Sequence, residues 1–165
     1  MIPEEFNVRA FRDALGTFAT GVTVVTTWAA DGTYVGLTVS SFNSVSLSPP
    51  LVLWSLGLDS ASLAAFRASS HYVVNVLAED QIDLSRRFAL TKSDKFGDLA
   101  ITQGAGGAPL LSGCCAWFEC RNEAQYAGGD HLIFVGRVER FSRSDRPPLL
   151  FQGGAYRALG PVLEA

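Results

Sequence analysis

The stretch Ala116-Trp117-Phe118-Glu119-Cys120-Arg121-Asn122-Glu123-Ala124-Gln125-Tyr126-Ala127-Gly128-Gly129-Asp130-His131 decides the fold. From Ala116 to Tyr126 it alternates. Ala116, Phe118, Cys120, Ala124 and Tyr126 take one face of an extended strand, and Glu119, Arg121, Glu123 and Gln125 take the other. Gly128-Gly129-Asp130 supplies a turn. His131 to Phe141 reads as the returning strand, with the weaker alternation expected when both faces are covered.

The same pattern extends outward. Gly21 to Trp28 is rich in Val and Thr, Asp31-Gly32 is a turn signal, and Tyr34 to Phe42 continues as a second strand of a hairpin. Pro49-Pro50 breaks the chain before a buried strand from Leu51 to Leu56, and His71 to Leu77 reads as another strand. Helical spacing is confined to short pieces. Val8, Phe11, Leu15 and Phe18 mark a helix from Val8 to Phe18, ended near Gly21, with Asn7 as its cap and Phe6 stapled on Phe11. Asp59-Ser60-Ala61-Ser62 opens a second helix with Leu63 and Phe66 facing inward, and Asp80 opens a third carrying Ile82, Leu84 and Phe88. Thr91 to Gly113 is Gly-rich and weakly periodic, a connection of a length that is usually functional. At least six strands and three short helices, with no repeat and no linker, predict one domain over residues 1–165. Its expected architecture is an antiparallel barrel with helices outside, not a doubly wound parallel sheet.

Composition bounds the function. The chain has 165 residues, 48% hydrophobic and 18% charged, which excludes disorder and implies an extensive core or a large subunit interface. A net charge of −3 without a basic block argues against a nucleic-acid partner. Met1-Ile2-Pro3-Glu4-Glu5 lacks the charge pattern of a signal peptide, and no apolar run is long enough for a membrane span. A cytoplasmic protein is expected. Cys114, Cys115 and Cys120 are odd in number, and their spacing fits neither a disulfide framework nor a zinc site. They read as reduced thiols acting as small core residues, Cys115 facing away from the other two on a strand. Two distant histidines give no metal set. Gly104-Ala105-Gly106-Gly107 lacks the spacing of a dinucleotide fingerprint, and no nucleophile elbow is present.

Several positions can carry binding chemistry. Thr38, Val39, Ser40, Ser41 and Phe42 lie at a strand end, where small hydroxyls and free backbone N–H groups suit a flavin ring edge or a phosphate. They also suit an ordinary Ser-rich turn. Ser60 and Ser62, at a helix start, can hold a phosphate or merely cap the helix, and Asp59 is expected to face away. Arg86 or Arg87 can reach a phosphate, and Lys95-Phe96 offers a charge and a ring edge at a site mouth. Gly129-Asp130-His131 is the sharpest short signal: glycine lets a ligand approach the backbone, and His131 can orient a nicotinamide. His71 has no supporting context.

Five ordered pieces of the chain resemble the flavin reductase-like domain family, the small reductase components of two-component flavin-dependent monooxygenases. They are Phe11-Arg12 through Thr20–Thr27; Gly36–Phe42 with Ser44-Val45-Ser46 and Ser48–Val52; Phe88-Ala89 with Asp94-Lys95-Phe96; Gly129-Asp130-His131 with Phe134–Gly136 and Val138; and Pro148–Phe151 with Gly154 and Tyr156. The resemblance spans Phe11 to Tyr156. It implies a mainly β, FMN-binding split barrel of antiparallel Greek-key type, a homodimer, and FMN or FAD near the dimer interface. It implies NADH or NADPH as hydride donor and a monooxygenase that receives the reduced flavin. It places Thr38–Phe42, Ser55, Ser60 and Ser62 around the flavin, Arg87, Lys95 and Phe96 near its phosphate or mouth, and His131 and Tyr156, with Gly129 and Asp130, beside the nicotinamide. Family members often carry an aromatic or basic residue before the last glycine, where this chain has Gln152-Gly153-Gly154-Ala155-Tyr156, a departure that bears on NADH against NADPH. Hydride transfer between the two rings needs no acid, base or nucleophile from the protein, only alignment of the reacting atoms about 3–3.5 Å apart. That accounts for the missing catalytic constellation. Two other readings share the fold expectation: a flavin- or haem-binding carrier or sensor, and a barrel for an unrelated apolar ligand.

Overall fold

In the computed structural model, which describes residues 6–91 and 94–164, seven strands build the main sheet. The acidic start, Met1 to Glu5, lies outside the described residues. In chain order the elements are α1 (Val8–Gly16), β1 (Thr20–Gly21), β2 (Thr23–Trp28), β3 (Tyr34–Val39), β4 (Asn43–Leu47), β5 (Pro50–Gly57), α2 (Leu63–Ala68), β6 (His71–Val76) and α3 (Ile82–Ala89). Then follow β7 (Ile101–Gln103), a 3-10 turn (Ala105–Gly107), β8 (Pro109–Leu111), β9 (Ala116–Gly128), β10 (His131–Arg143), β11 (Leu150–Gln152) and β12 (Ala155–Arg157). The main sheet runs β3-β2-β6-β9-β10-β5-β4, every pair antiparallel. Strand β3, at one edge, also lies against β5 near the other, so the sheet curls into a barrel. Two small sheets, β1-β11-β12 and β7-β8, flank it.

The barrel encloses Val25, Trp54, Phe66, Tyr72, Val74 and Phe134. A second cluster outside the wall joins Val22, Val24, Leu77, Phe88, Leu111 and Leu149. Strand β2 supplies both, which is why its sequence runs apolar without alternation. Its buried Thr26 hydroxyl donates to Pro109 O at 2.5 Å, and the buried Asn75 amide donates to Val24 O and accepts from Leu111 N, both at 2.9 Å. These bonds tie the β7-β8 hairpin to the barrel. The Thr91–Gly113 connection is thus partly regular, with Trp28 Nε1 donating to Gly106 O at 2.6 Å and Glu119 accepting from Ala105 N at 2.6 Å.

Several expectations from sequence shift. The strand begun at Tyr34 ends at Val39, not Phe42, and Asn43–Leu47, beyond it, is an edge strand paired with β5. A β-bulge between Val135 and Gly136 leaves Glu123 unpaired on β9. That extra residue inverts the alternation, so Tyr126 does not share the face of buried Cys120 and is 59% exposed. Asp80 does not cap α3; its carboxylate pairs with Arg146 at 3.1 Å. Cys114 and Cys115 precede β9 instead of lying on it. All three cysteines are free, and burial pushes the Cys114 and Cys120 thiols up to about 12. Cys114 and Cys120 are buried fillers, and Cys115 is half-buried. Asn7 caps α1 by accepting from Ala10 N at 3.0 Å, and Phe6 packs on Phe11. Yet no residue of α1 is buried.

Candidate active site

Three elements converge where β3 ends. The Thr38 hydroxyl donates to Ser85 O on α3 at 2.7 Å, and the Ser85 hydroxyl meets the Tyr156 hydroxyl of β12 at 2.9 Å. Around them opens a hollow of about 190 Å³ lined by Val22, Thr38, Val39, Ser40, Ser85 and Tyr156, among others. Arg86 lies over the Tyr156 ring, 5.7 Å from its centre.

A second hollow of about 440 Å³ adjoins the first through Thr38 and Ala89. Its far wall is the β5–α2 connection, Asp59 to Ser62, with Lys95 beside it. The chain turns there because Ser60 N bonds Gly57 O at 3.1 Å, and Ser60 Oγ accepts from Ser62 N at 3.3 Å. Ser62 stands at the N-cap of α2 but makes no side-chain cap bond. Lys95 donates to Gly36 O and Phe88 O, each at 3.1 Å. Burial lowers its pKa, and among the described residues no carboxylate pairs with it. An ammonium held by carbonyls, next to the Ser60 and Ser62 hydroxyls, suits an anionic group of a ligand. Gly36 is required for this arrangement, since a Cβ there would lie 2.7 Å from the Phe88 ring and 3.1 Å from Phe96. Asp59, expected to face away, borders the hollow, with Oδ1 folded back over Gly57 at 2.8 Å from where a Cβ would stand.

His131 opens β10 opposite Gly57, across the tight turn of Gly129 and Asp130. Gly129 has φ +69°, which explains the glycine. The Asp130 carboxylate meets His131 Nδ1 at 2.7 Å, and that contact holds the Asp130 pKa below its ordinary value. The turn is fastened to the second hollow's loop, because Leu58 N donates to Asp130 O at 2.9 Å. The His131 turn is therefore tied to the β5–α2 connection, and His131 itself lines neither hollow.

Other expected residues stand elsewhere. The Ser41 hydroxyl is engaged with the backbone of Ser55, accepting from its N at 2.9 Å, and neither residue lines the hollows described. Phe42 turns inward and stacks on Phe118 at 5.4 Å. Arg87 is held by Asp98 at 2.6 Å, outside the hollow wall, so it is Arg86 that approaches the site, through Tyr156. Phe96 packs on Phe88 and Tyr34 next to Lys95. His71 is satisfied by Ser70 and Glu139. Sequence reasoning missed Ser85, Gly36 and Asp98. Ser85, a buried hydroxyl between the apolar Ile82 and Phe88 of one short helix, was the one legible hint. Among the described residues no cluster of His, Cys, Asp or Glu is placed to hold a metal ion.

Residues 15–160 match the model of the family described as Flavin reductase like domain. The chain is 47% identical over 156 residues to the FMN reductase (NADH) SmoA of Agrobacterium fabrum, covering 94% of this chain and 88% of the relative. It is 42% identical over 160 residues to the reductase subunit HsaB of a flavin-dependent monooxygenase from Rhodococcus jostii, covering 96% and 81%. It spans 48% of the length of the reductase component of an Acinetobacter baylyi trigonelline monooxygenase, at 43% identity over 90% of this chain. The structure of the Streptomyces globisporus NADH:FAD oxidoreductase SgcE6, solved with NAD and FAD fragments, superposes with a TM-score of 0.89 at 39% identity, covering 95% of this chain and 96% of that one. The fold is a split barrel, and the chain belongs to the flavin reductase-like domain family.

Proposed function

We propose that this chain is an NAD(P)H-dependent flavin reductase that binds FMN or FAD in the paired hollows along β3 and supplies reduced flavin to a monooxygenase component. The observation that carries the reading is the Lys95 ammonium, without a carboxylate partner among the described residues, beside one of two hollows that share Thr38 and Ala89. The residues present fit a flavin: Thr38 to Ser40 and Tyr156 border a slot for a flat ring, and Ser60, Ser62 and Lys95 face the place for a phosphate. When bound, the flavin supplies the hydride chemistry. The chain's own part is positional. Lys95 neutralises the phosphate, Ser85 locks Thr38 and Tyr156 together, and Asp130 aims the His131 ring for the nicotinamide. The site needs no protein acid or base. The free, buried thiols suit a reducing cytoplasm, and among the described residues no helix is long and apolar enough to cross a membrane.

The test mixes purified protein with NADH and, in parallel, FMN, FAD or riboflavin, and follows the nicotinamide absorbance. Flavin-dependent loss of NADH is expected. Flavin binding without NADH loss would mark a carrier and overturn the assignment. Lys95→Gln is expected to weaken FMN about tenfold while leaving riboflavin, which has no phosphate, unmoved, as loss of one charge-assisted hydrogen bond requires. The same lysine sets a pH dependence. Its pKa is lowered in the free protein, so FMN affinity falls as rising pH removes the proton, beginning below the ordinary lysine range, and riboflavin affinity does not.

The chain also pairs with a second copy of itself in this reading. Phe11, Leu15 and Phe18 around α1 are exposed, as are Phe141 on β10 and Leu47 at the β4–β5 turn, which is 94% exposed. So much exposed apolar surface marks an association face. Light scattering is expected to give twice the 17.7 kDa chain mass, and the double variant Phe11→Asp with Leu15→Asp is expected to shift it toward the monomer. A monomeric wild-type protein at micromolar concentration would refute the pairing.

A further inference from the structure

Lys95 belongs to the connection between α3 and β7, and two different devices shape that connection. The first is local. Asp94 Oδ1 accepts from Phe96 N at 3.1 Å and from Gly97 N at 2.9 Å, and Leu99 N donates to Phe96 O at 2.9 Å. These bonds turn the chain tightly around Lys95. Gly97 leaves room for them, since a Cβ there would stand 2.5 Å from Asp94 Oδ2. The second device ties the turn to the helix. Asp98 meets Arg87 of α3 at two points, Nη1 to Oδ1 at 2.6 Å and Nη2 to Oδ2 at 3.3 Å. Among the described residues it is the one ion pair between α3 and this connection.

Neither member of the pair lines the hollow that Lys95 borders. Both act on the turn that carries the lysine. Lys95 Nζ donates to Phe88 O, and Asp98 holds Arg87, so one short turn grips two successive residues of α3. An ammonium has three N–H donors. Two go to Gly36 O and Phe88 O, which leaves one for a ligand without any movement of the lysine, provided that its turn stays against the helix. A lysine on a free loop would have to be ordered by each ligand it meets, and that ordering subtracts from affinity.

We propose that Arg87 and Asp98 are a positioning pair for Lys95: their ion pair holds the lysine's turn against α3 in advance and so sets the affinity for the flavin phosphate, with neither residue touching the ligand. The proposal rests on the flavin reading above. The sign of one substitution separates it from plain electrostatics. Asp98 is a negative charge three residues from the lysine that faces the phosphate. If charge alone counted, removing it would tighten FMN. The same tightening would follow if Asp98 kept Arg87 away from the phosphate. If the pair positions Lys95, removing Asp98 weakens FMN. Loss of Arg87 weakens FMN on every account, so Asp98 is the informative partner.

Titration by quenching of flavin fluorescence, with FMN and riboflavin in parallel, tests it. Asp98→Asn is expected to weaken FMN about fivefold and to leave riboflavin within about twofold. Asp98→Glu keeps the carboxylate and is expected to recover most of the loss. In a Lys95→Gln background, Asp98→Asn is expected to change FMN affinity by less than about twofold, because a pair that acts through the lysine then has nothing to position. The Asp98 side chain is 76% exposed, so these are surface changes, and urea unfolding is expected to show all the variants folded. FMN binding that is tightened or unmoved by Asp98→Asn would overturn the proposal. So would a loss that is as large for riboflavin, or one that persists in full without Lys95. Failure of the wild-type protein to bind either FMN or riboflavin would instead bring down the flavin reading, and the proposal with it.

Discussion

Trp54→Ala is expected to lower the unfolding free energy by about 3–5 kcal/mol, the range for truncating a buried aromatic side chain. Trp54 is fully buried on β5 and stacks on Phe134 at 4.6 Å. It also meets Phe66 edge-on at 4.9 Å and Tyr72 at 5.6 Å. The four rings come from β5, α2, β6 and β10, so the cavity left by alanine would loosen four elements at once. Such a loss is a large part of the roughly 5–15 kcal/mol that holds a domain folded. Trp54→Phe separates packing from polarity. Among the described residues buried Trp54 Nε1 has no well-formed hydrogen-bond partner, and its nearest polar neighbour is the Tyr72 hydroxyl, so phenylalanine removes a poorly satisfied donor while keeping most of the ring. Its cost is expected to be about 1 kcal/mol. Urea unfolding at one fixed protein concentration measures both. An alanine variant within about 1 kcal/mol of wild type would show that the ring cluster does not hold the barrel together.

The hairpins were legible in the sequence because their signals are local. Asp31-Gly32 and Gly129-Asp130 mark turns, and the valines of β2 mark a strand buried on both sides. Strand β4 was missed although Asn43-Ser44-Val45-Ser46-Leu47 alternates, because the edge strand leaves Val45 and Leu47 exposed and its serines read as a turn. The bulge at Glu123 inverted the outer half of β9, and no residue type announces a bulge where the extra residue is an ordinary polar one. The pieces β1, β11 and β12 are two or three residues long, too short for any period to show.

The candidate site was legible in part for the same reason. Ser60, Ser62, Lys95 and Thr38 line one hollow. Arg87 does not, because its partner Asp98 is eleven positions away and pairing across a loop leaves no periodic trace. Ser41 and Ser55 are joined only by the curling of β3 onto β5, a tertiary event. Ser85 carries the reverse lesson. A buried hydroxyl on an apolar helix face needs a partner, and here it is the Tyr156 hydroxyl, while the Ser85 carbonyl accepts from Thr38.

His131→Ala is expected to lower kcat/KM for NADH about a hundredfold, the loss that misplacing a reacting ring can cause, while the FMN Kd stays within about twofold. The expectation follows from hydrogen-bond bookkeeping. Ionised Asp130 can only accept, so the His131 nitrogen facing it, Nδ1, carries the hydrogen. Nε2 of the neutral ring is then an acceptor, and it looks toward Gly57, where a Cβ would stand 4.0 Å away. A nicotinamide carboxamide offers the matching N–H donor. The hydrogen bond from His131 holds the Asp130 pKa below its ordinary value, so the carboxylate stays ionised and keeps the hydrogen of the neutral ring on Nδ1. Asp130→Asn can present either an acceptor or a donor to Nδ1, releases the constraint, and is expected to lose part of the same rate. If His131 binds ground and transition states equally, its removal raises KM and leaves kcat alone; if it aligns the ring only for transfer, kcat falls too. His131→Asn keeps an acceptor near the same place and is expected to recover part of the loss. Unchanged steady-state kinetics in His131→Ala would remove the nicotinamide from this end of the barrel, while flavin binding at Lys95 would be left standing.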